Sequence, residues 1–247
     1  MYQIFKKEIT SYFSSLVAYV TIGLFLLVLG LFLWVFPDSS ILDYGYAGLD
    51  SLFSTAPYLF MFLIPAITMR SMADEFKGGT IEWLSTKPLT DLDIILGKYF
   101  AALALIVFAM LPTLLYVYTI GNLSPVNSNL DTGGIIGSYI GLFFLAASFA
   151  AVGIFCSSLT SNQIVGFLVS LFLCFFLHTG IQLISSIPAF QSGIDYYLSM
   201  VGMSFHYNSI SRGVVDTRDI IYFLSVIILF ISLTRFSLNS RTWDTAS

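Results

Sequence analysis

The sequence predicts an all-α integral membrane protein of six transmembrane helices, and three observations carry that prediction. Of its 247 residues, 57% are hydrophobic and only 10% charged, against roughly 45–50% and ~25% in soluble domains. The apolar residues gather into long uncharged runs, each near the ~20 helical residues needed to cross a ~30 Å hydrocarbon core. Only short polar stretches separate the runs, which excludes a water-soluble fold. A formal charge of -4 and a pI of about 4.9, with the Lys and Arg residues scattered rather than gathered on one face, exclude nucleic acid as a partner.

The first element expected is an amphipathic helix over residues 1–15. Tyr2, Ile4, Phe5, Ile9, Tyr12 and Phe13 recur at helical spacing while Lys6, Lys7, Glu8 and Ser11 occupy other faces, the pattern of a helix lying in the membrane interface. A frayed extension of the first span is the alternative. Lys6 and Lys7 before an apolar run resemble a secretory signal, but the run is long, lacks an Ala-x-Ala site and is followed by more spans, so it is expected to be retained. The spans are placed at 16–36, 53–69, 99–120, 135–157, 164–184 and 220–238, in one transmembrane domain covering 1–247 without internal repeats. Pro57 and Pro65 in the second and Pro112 in the third predict kinks whose freed carbonyls neighbouring helices re-satisfy.

Six spans place both termini on one side. That side holds Lys6, Lys7, Arg70, Lys77, Lys87, Lys98, Arg235 and Arg241, with only Arg212 and Arg218 opposite, so both termini are expected in the cytoplasm. Cys156 and Cys174 flank a turn at 160–162. Ideal helices would set them at depths roughly 12 Å apart, beyond the ~7 Å Cα limit for bridging, so both are expected to be free.

The longest cytoplasmic connection, 70–98, concentrates the charges. Gly78-Gly79 supplies a flexible turn, Thr80 a cap, and Glu82 suits the start of a short helix whose apolar surface is Ile81, Trp83 and Leu84 and whose end is Pro88. Such a helix either docks another protein or sets Trp83 among lipid headgroups. Thr90 with Asp93 three residues on has the form of a capping box and would start the third span.

With Met69-Arg70-Ser71-Met72-Ala73-Asp74-Glu75, Gly79-Thr80-Ile81-Glu82-Trp83-Leu84, Pro88 and Gly97-Lys98 in this order, the chain resembles the type-2 ABC transporter permeases over essentially its whole length. The stretch 211–219, Ser-Arg-Gly-Val-Val-Asp-Thr-Arg-Asp, is most similar to permease subunits of gliding-motility-associated ABC transporters. The resemblance implies that Glu75, Gly79, Thr80, Ile81, Glu82, Trp83, Leu84 and Pro88 form an ATPase-coupling site around a cytoplasmic coupling helix. It implies a separate cytoplasmic ABC ATPase that binds ATP and Mg, a second permease subunit or second copy, a lipid surround and a bacterial inner membrane. The absence of a Gly-x4-Gly-Lys-Ser/Thr phosphate loop agrees with ATP hydrolysis residing elsewhere, so this chain is not expected to be an enzyme or to hold a cofactor or metal.

From 185 to 219 aromatic residues alternate with Pro188, Gly193 and Gly202, which predicts short outer helices, with an aromatic belt as the alternative. In the family such helices lie near the outer gate, making Tyr196, Tyr197, Phe205 and Tyr207 candidate gate residues. His178 is the one ionisable residue at depth within the runs. It is read as a packed histidine hydrogen-bonded across helices, with a substrate path as the alternative. The absence of Asp, Glu, Lys and Arg inside the six runs, except at their ends, disfavours an ion-coupled carrier. A non-transporting membrane scaffold remains open. An intramembrane protease has only Ser204 and His206, with no orienting carboxylate in the nearby sequence, to recommend it.

Overall fold

A lone apolar helix in lipid must satisfy its own backbone, and the structure, a computed structural model, contains only helices among the residues it describes, 1–37, 40–41, 48–79, 90–123, 131–188 and 194–244. In order they are α1 (Tyr2–Ser14), α2 (Leu16–Trp34), α3 (Asp50–Thr68), α4 (Arg70–Lys77), α5 (Asp91–Met110), a 3-10 turn (Leu111–Thr113), α6 (Leu114–Leu123) and α7 (Thr132–Leu159). There follow α8 (Gln163–Phe175), a π turn (Phe176–Gly180), α9 (Ile181–Ser185), α10 (Ile194–Val201), α11 (Met203–Ile210) and α12 (Thr217–Asp244). Five stretches are long and apolar enough to cross a membrane: Asp50–Lys77, Asp91–Leu123, Thr132–Leu159, Gln163–Ser185 and Thr217–Ser240. The pair α1 and α2, bent by 66°, makes six when counted as one span.

The bend falls at Ser15, whose extended backbone stops α1. Beyond it α2 is apolar on every side, and packing alone selects its inner face. Ala18, Phe25, Leu29 and Leu33 are buried, while Leu16, Val20, Leu24, Leu27, Leu31 and Val35 point outward to lipid, two stripes each at the three-to-four-residue period of a helix. The third span starts where the capping box places it, with Asp93 N–H donating to Thr90 Oγ1 and Thr90 N–H to Asp93 Oδ2. Pro112 interrupts that span as the 3-10 turn, where Thr113 Oγ1 lies 2.6 Å from the Met110 carbonyl and 3.0 Å from the Tyr139 hydroxyl.

In the second span the break is elsewhere. Helix α3 runs through both Pro57 and Pro65 and stops at Met69, and α4 continues the same path past the expected end at residue 69 to Lys77. Ser157 of α7 fits this break. Its Oγ accepts from Met72 N–H at 3.0 Å and Ala73 N–H at 3.1 Å and donates to the Met69 carbonyl at 2.9 Å. The first amides of a helix have no partner within it, and here a neighbouring helix supplies the cap. Ser157→Ala should therefore cost about 1–2 kcal/mol, the value of a lost N-cap side chain, and a thermal unfolding curve of the purified protein in one fixed detergent is the measurement.

Helix α7 is the axis of the bundle, with 78% of its most apolar stretch buried against 28% for both Gln163–Ser185 and Thr217–Ser240. Its inward surfaces are rich in small residues, among them Gly137, Gly141, Ala146, Ala147, Ala150, Ala151, Gly153, Ser157 and Ser158, with Leu142, Leu145, Phe149, Val152 and Ile154 set between them. Small residues let helix backbones approach closely in membranes. A Cβ built on Gly153 would stand 2.0 Å from Thr68 Oγ1, and one on Gly137 2.7 Å from the Ile210 carbonyl. Short helices are present in the 185–219 stretch as α10 and α11, seated on the start of α7 by Ser138 Oγ donating to the Ser211 carbonyl at 3.2 Å. Cys156 and Cys174 are free and buried.

Candidate functional site

A lysine ammonium in an apolar bundle needs three acceptors, and Lys98, only 2% exposed, finds three. Its Nζ lies 2.9 Å from Glu8 Oε1, 2.9 Å from Glu75 Oε1 and 2.5 Å from the Ser71 carbonyl. Lys7 closes the cluster from its exposed side, 3.2 Å from the same Glu75 oxygen and 3.8 Å from Glu8. Two cations face two carboxylates, so the group is neutral.

Three elements are joined in this way. Lys98 comes from α5, Glu75 and Ser71 from α4, and Glu8 and Lys7 from α1. The first turn of α1 lies directly on α5, where a Cβ on Gly97 would meet Ile4 Cγ2 at 2.9 Å, and the Met1 amino group stands 3.5 Å from Asp93 Oδ1. On the outer face of α4, Asp74 accepts from Gln163 Nε2 at the start of α8. The α4 end of the second span is thus fastened on both sides.

Of the residues assigned to ATPase coupling, Glu75 is in this cluster and Gly79 follows α4 with a φ of 64°, the left-handed region that glycine enters without strain. Thr80, Ile81, Glu82, Trp83, Leu84 and Pro88, and with them the expected coupling helix, lie outside the described residues. Lys98 and Glu8 belong to the site, although neither is assigned to it from the sequence, where Lys98 enters only as part of the Gly97-Lys98 motif. Glu8 is expected on a solvated face of α1, yet it lies at four-residue spacing from Ile4 and Tyr12 on the inner face, with its side chain 12% exposed. That spacing, and a lysine placed beside Gly97 within a helix, were the available signals.

The outer aromatic set divides. Tyr196 has ring centroids 5.9 Å from Tyr197 and 6.0 Å from Phe205, and Tyr196 and Tyr197 are exposed. Tyr207 is buried and donates to the Phe53 carbonyl at 2.6 Å, stapling α11 to the start of α3. His178 is packed as expected, against the rings of Tyr58, Phe149 and Tyr207. Nδ1 makes no part of the hydrogen bonding expected across helices, since that atom has no partner among the described residues. His178 sits in the π turn, edge-on to these rings.

A carboxylate does orient His206, contrary to expectation. Asp219 Oδ1 lies 2.7 Å from its Nδ1 across the turn before α12. Its Nε2 is 2.8 Å from the Met200 carbonyl, and because a carbonyl only accepts, Nε2 carries a proton. No lone pair is left there to activate Ser204, so the trio is not assembled as a nucleophile–base–acid system. Tyr222 stacks on the imidazole at 3.9 Å, and the whole is an anchor for the outer helices. Among the described residues, no group of three or more His, Cys, Asp or Glu side chains is placed to hold a metal.

Residues 37–236 match the family model described as ABC-2 family transporter protein. The chain belongs to this family. No curated protein sequence matches it. As an ABC-2 family chain with five to six membrane-crossing helices it is a multi-pass membrane protein and a permease component of an ABC transporter, a class that works with an ABC ATPase and in contact with lipid. The matched region contains Glu75 and Lys98, whereas α1 with Lys7 and Glu8 precedes it.

Proposed function

We propose that this chain is the permease subunit of an exporter-type ABC transporter in a bacterial inner membrane, with both termini cytoplasmic and segment 79–90 docking a separate ATPase. The observation that carries the reading is the pair of stems beneath that segment. Helices α4 and α5 project from the second and third spans and are tied by Glu75 and Lys98 at 2.9 Å, so a push on the segment reaches two spans at once. Ile81, Trp83 and Leu84 fill a groove on the ATPase, Glu82 meets a polar or basic group there, and ATP and Mg bind the partner alone. A second permease subunit completes the pathway. The wording of 211–219 supports a gliding-motility-associated system, and Tyr196, Tyr197 and Phe205 form the outer aromatic surface near the exit.

Co-expression with the candidate ATPase tests the docking. Losing a buried aromatic anchor costs about 2 kcal/mol or more, so Trp83→Ala should reduce retained complex in detergent roughly thirtyfold without altering the monodispersity of the permease. Retention of full complex and full stimulation of ATP hydrolysis would leave the segment a membrane-interface turn. Orientation is tested separately with single cysteines in a chain whose two buried native cysteines are replaced by alanine. Asp131→Cys and Tyr197→Cys, both at exposed positions, should react with an impermeant thiol reagent from outside, and Lys77→Cys should not. Outside labelling at Lys77→Cys would invert the topology.

A further inference from the structure

We propose that Lys98 is a positioning residue that fastens α1 to both stems of segment 79–90, so that α1, α4 and α5 move as one body when that segment is displaced. The proposal rests on the reading of 79–90 as the ATPase dock.

Position comes first. Glu75 is four residues before Gly79 and Lys98 eight residues after Thr90, so their contact closes the base of the segment and prevents the stems from splaying. The contact is also three-way, because the same ammonium holds Glu8 of α1 at 2.9 Å and the Ser71 carbonyl of α4. Ile4 pressed on Gly97 and the Met1 amino group near Asp93 keep α1 along the same face of α5.

Stability alone is a poor reason for such a device. Burying an ion pair gains little over well-packed apolar residues of the same volume, whereas breaking one by removing a single partner is costly. What an ammonium supplies and a leucine does not is direction: three donors that hold three chosen acceptors on two other helices. Helix α1 is then more than an interfacial float. It is the third wall of the coupling base, attached through Glu8.

The test uses the full chain in lipid nanodiscs, alone and with the ATPase. In the chain alone, Lys98→Met should raise amide hydrogen exchange across α1 at least roughly tenfold, because an orphaned buried carboxylate loosens the contact. Unchanged exchange would overturn the tie whatever the ATPase does. The double variant Glu8→Leu with Lys98→Met removes one charge of each sign and leaves Glu75 its contact with Lys7. It should match the parent in thermal stability and retain the ATPase within about twofold, as apolar replacement of a buried pair allows. Its permease-stimulated ATP hydrolysis should nevertheless fall on the order of tenfold, a coupling loss of about 1.4 kcal/mol. Full stimulation in that variant would reduce the cluster to packing and sink the proposal. Should the parent chain itself retain no ATPase, the docking reading fails instead, and the exchange measurement still decides whether Lys98 binds α1 to the stems.

Discussion

Gly153→Val is expected to prevent recovery of a monodisperse protein. The reason is the approach of α3 to α7. A Cβ at residue 153 would lie 2.0 Å from Thr68 Oγ1, 2.9 Å from Thr68 Cβ and 3.3 Å from Thr68 Cγ2. Thr68 has no room to turn away, since it is fully buried, is branched at Cβ and donates to the Ile64 carbonyl at 2.9 Å. Relief requires the helices to separate, which would also pull Ser157 from the break at Met69. Overpacking a core typically costs about 1–3 kcal/mol, and Gly153→Ala should reach the upper end, with valine beyond it. Thr68→Ala should restore part of the loss in a Gly153→Ala background, as it removes the nearest atom but leaves Cβ. Size-exclusion profiles and melting temperatures in one detergent decide the matter, and a Gly153→Ala protein as stable as the parent would show that the helices are not in contact here.

His206→Phe is expected to be the most damaging change at the outer end. The substitution keeps a ring against Tyr222 but leaves the Asp219 carboxylate, 5% exposed, without its imidazole partner. Removing one member of a buried charge pair costs about 3–5 kcal/mol. Asp219→Asn should cost less, because a neutral imidazole that keeps its Nε2 proton can accept at Nδ1 from the amide, so neither partner is left charged and unpaired. The double variant His206→Phe with Asp219→Leu should recover most of the lost stability, the non-additivity expected of residues in direct contact. Melting temperatures of the three proteins form the cycle, and an additive result would mean that the pair does not interact.

The spans were legible because their signals are local. A run of apolar residues states its own length, and Thr90 with Asp93 states where one begins. The outer helices could be expected from aromatic residues set between Pro188 and Gly202, although not the contact that seats them. What stayed hidden depends on which way a polar residue faces. Lys98 at the edge of an apolar run reads as one more cytoplasmic charge, and only the fold turns it inward onto Glu8 and Glu75. Ser157 looks like any small residue of α7 until the break at Met69 is brought beside it. Asp219 lies 13 residues from His206, too far for spacing to pair them, and the turn at Gly213, with a φ of 88°, folds the chain back to make the contact. Trp83 could be selected by its sequence surroundings, while its geometry lies outside the described residues.

The small-residue surface of α7 has a mechanical consequence. Helices locked ridge into groove must lift apart before either can shift. Where α7 presents glycine, alanine and serine there is little to lift over, and only at its larger buried residues, such as Leu145, Phe149 and Ile154, do the ridges interlock. Part of the resistance to sliding then comes from separate hydrogen bonds: Tyr99 Oη to the Ala147 carbonyl at 3.2 Å, Ser157 to the start of α4, and Ser138 to the Ser211 carbonyl. Each is worth only about 0.5–1.5 kcal/mol. Shear of α3–α4 along α7 therefore costs the pins it withdraws and must also lift Thr68 out of the notch at Gly153, so the bundle is a spindle held by a few pins and one detent.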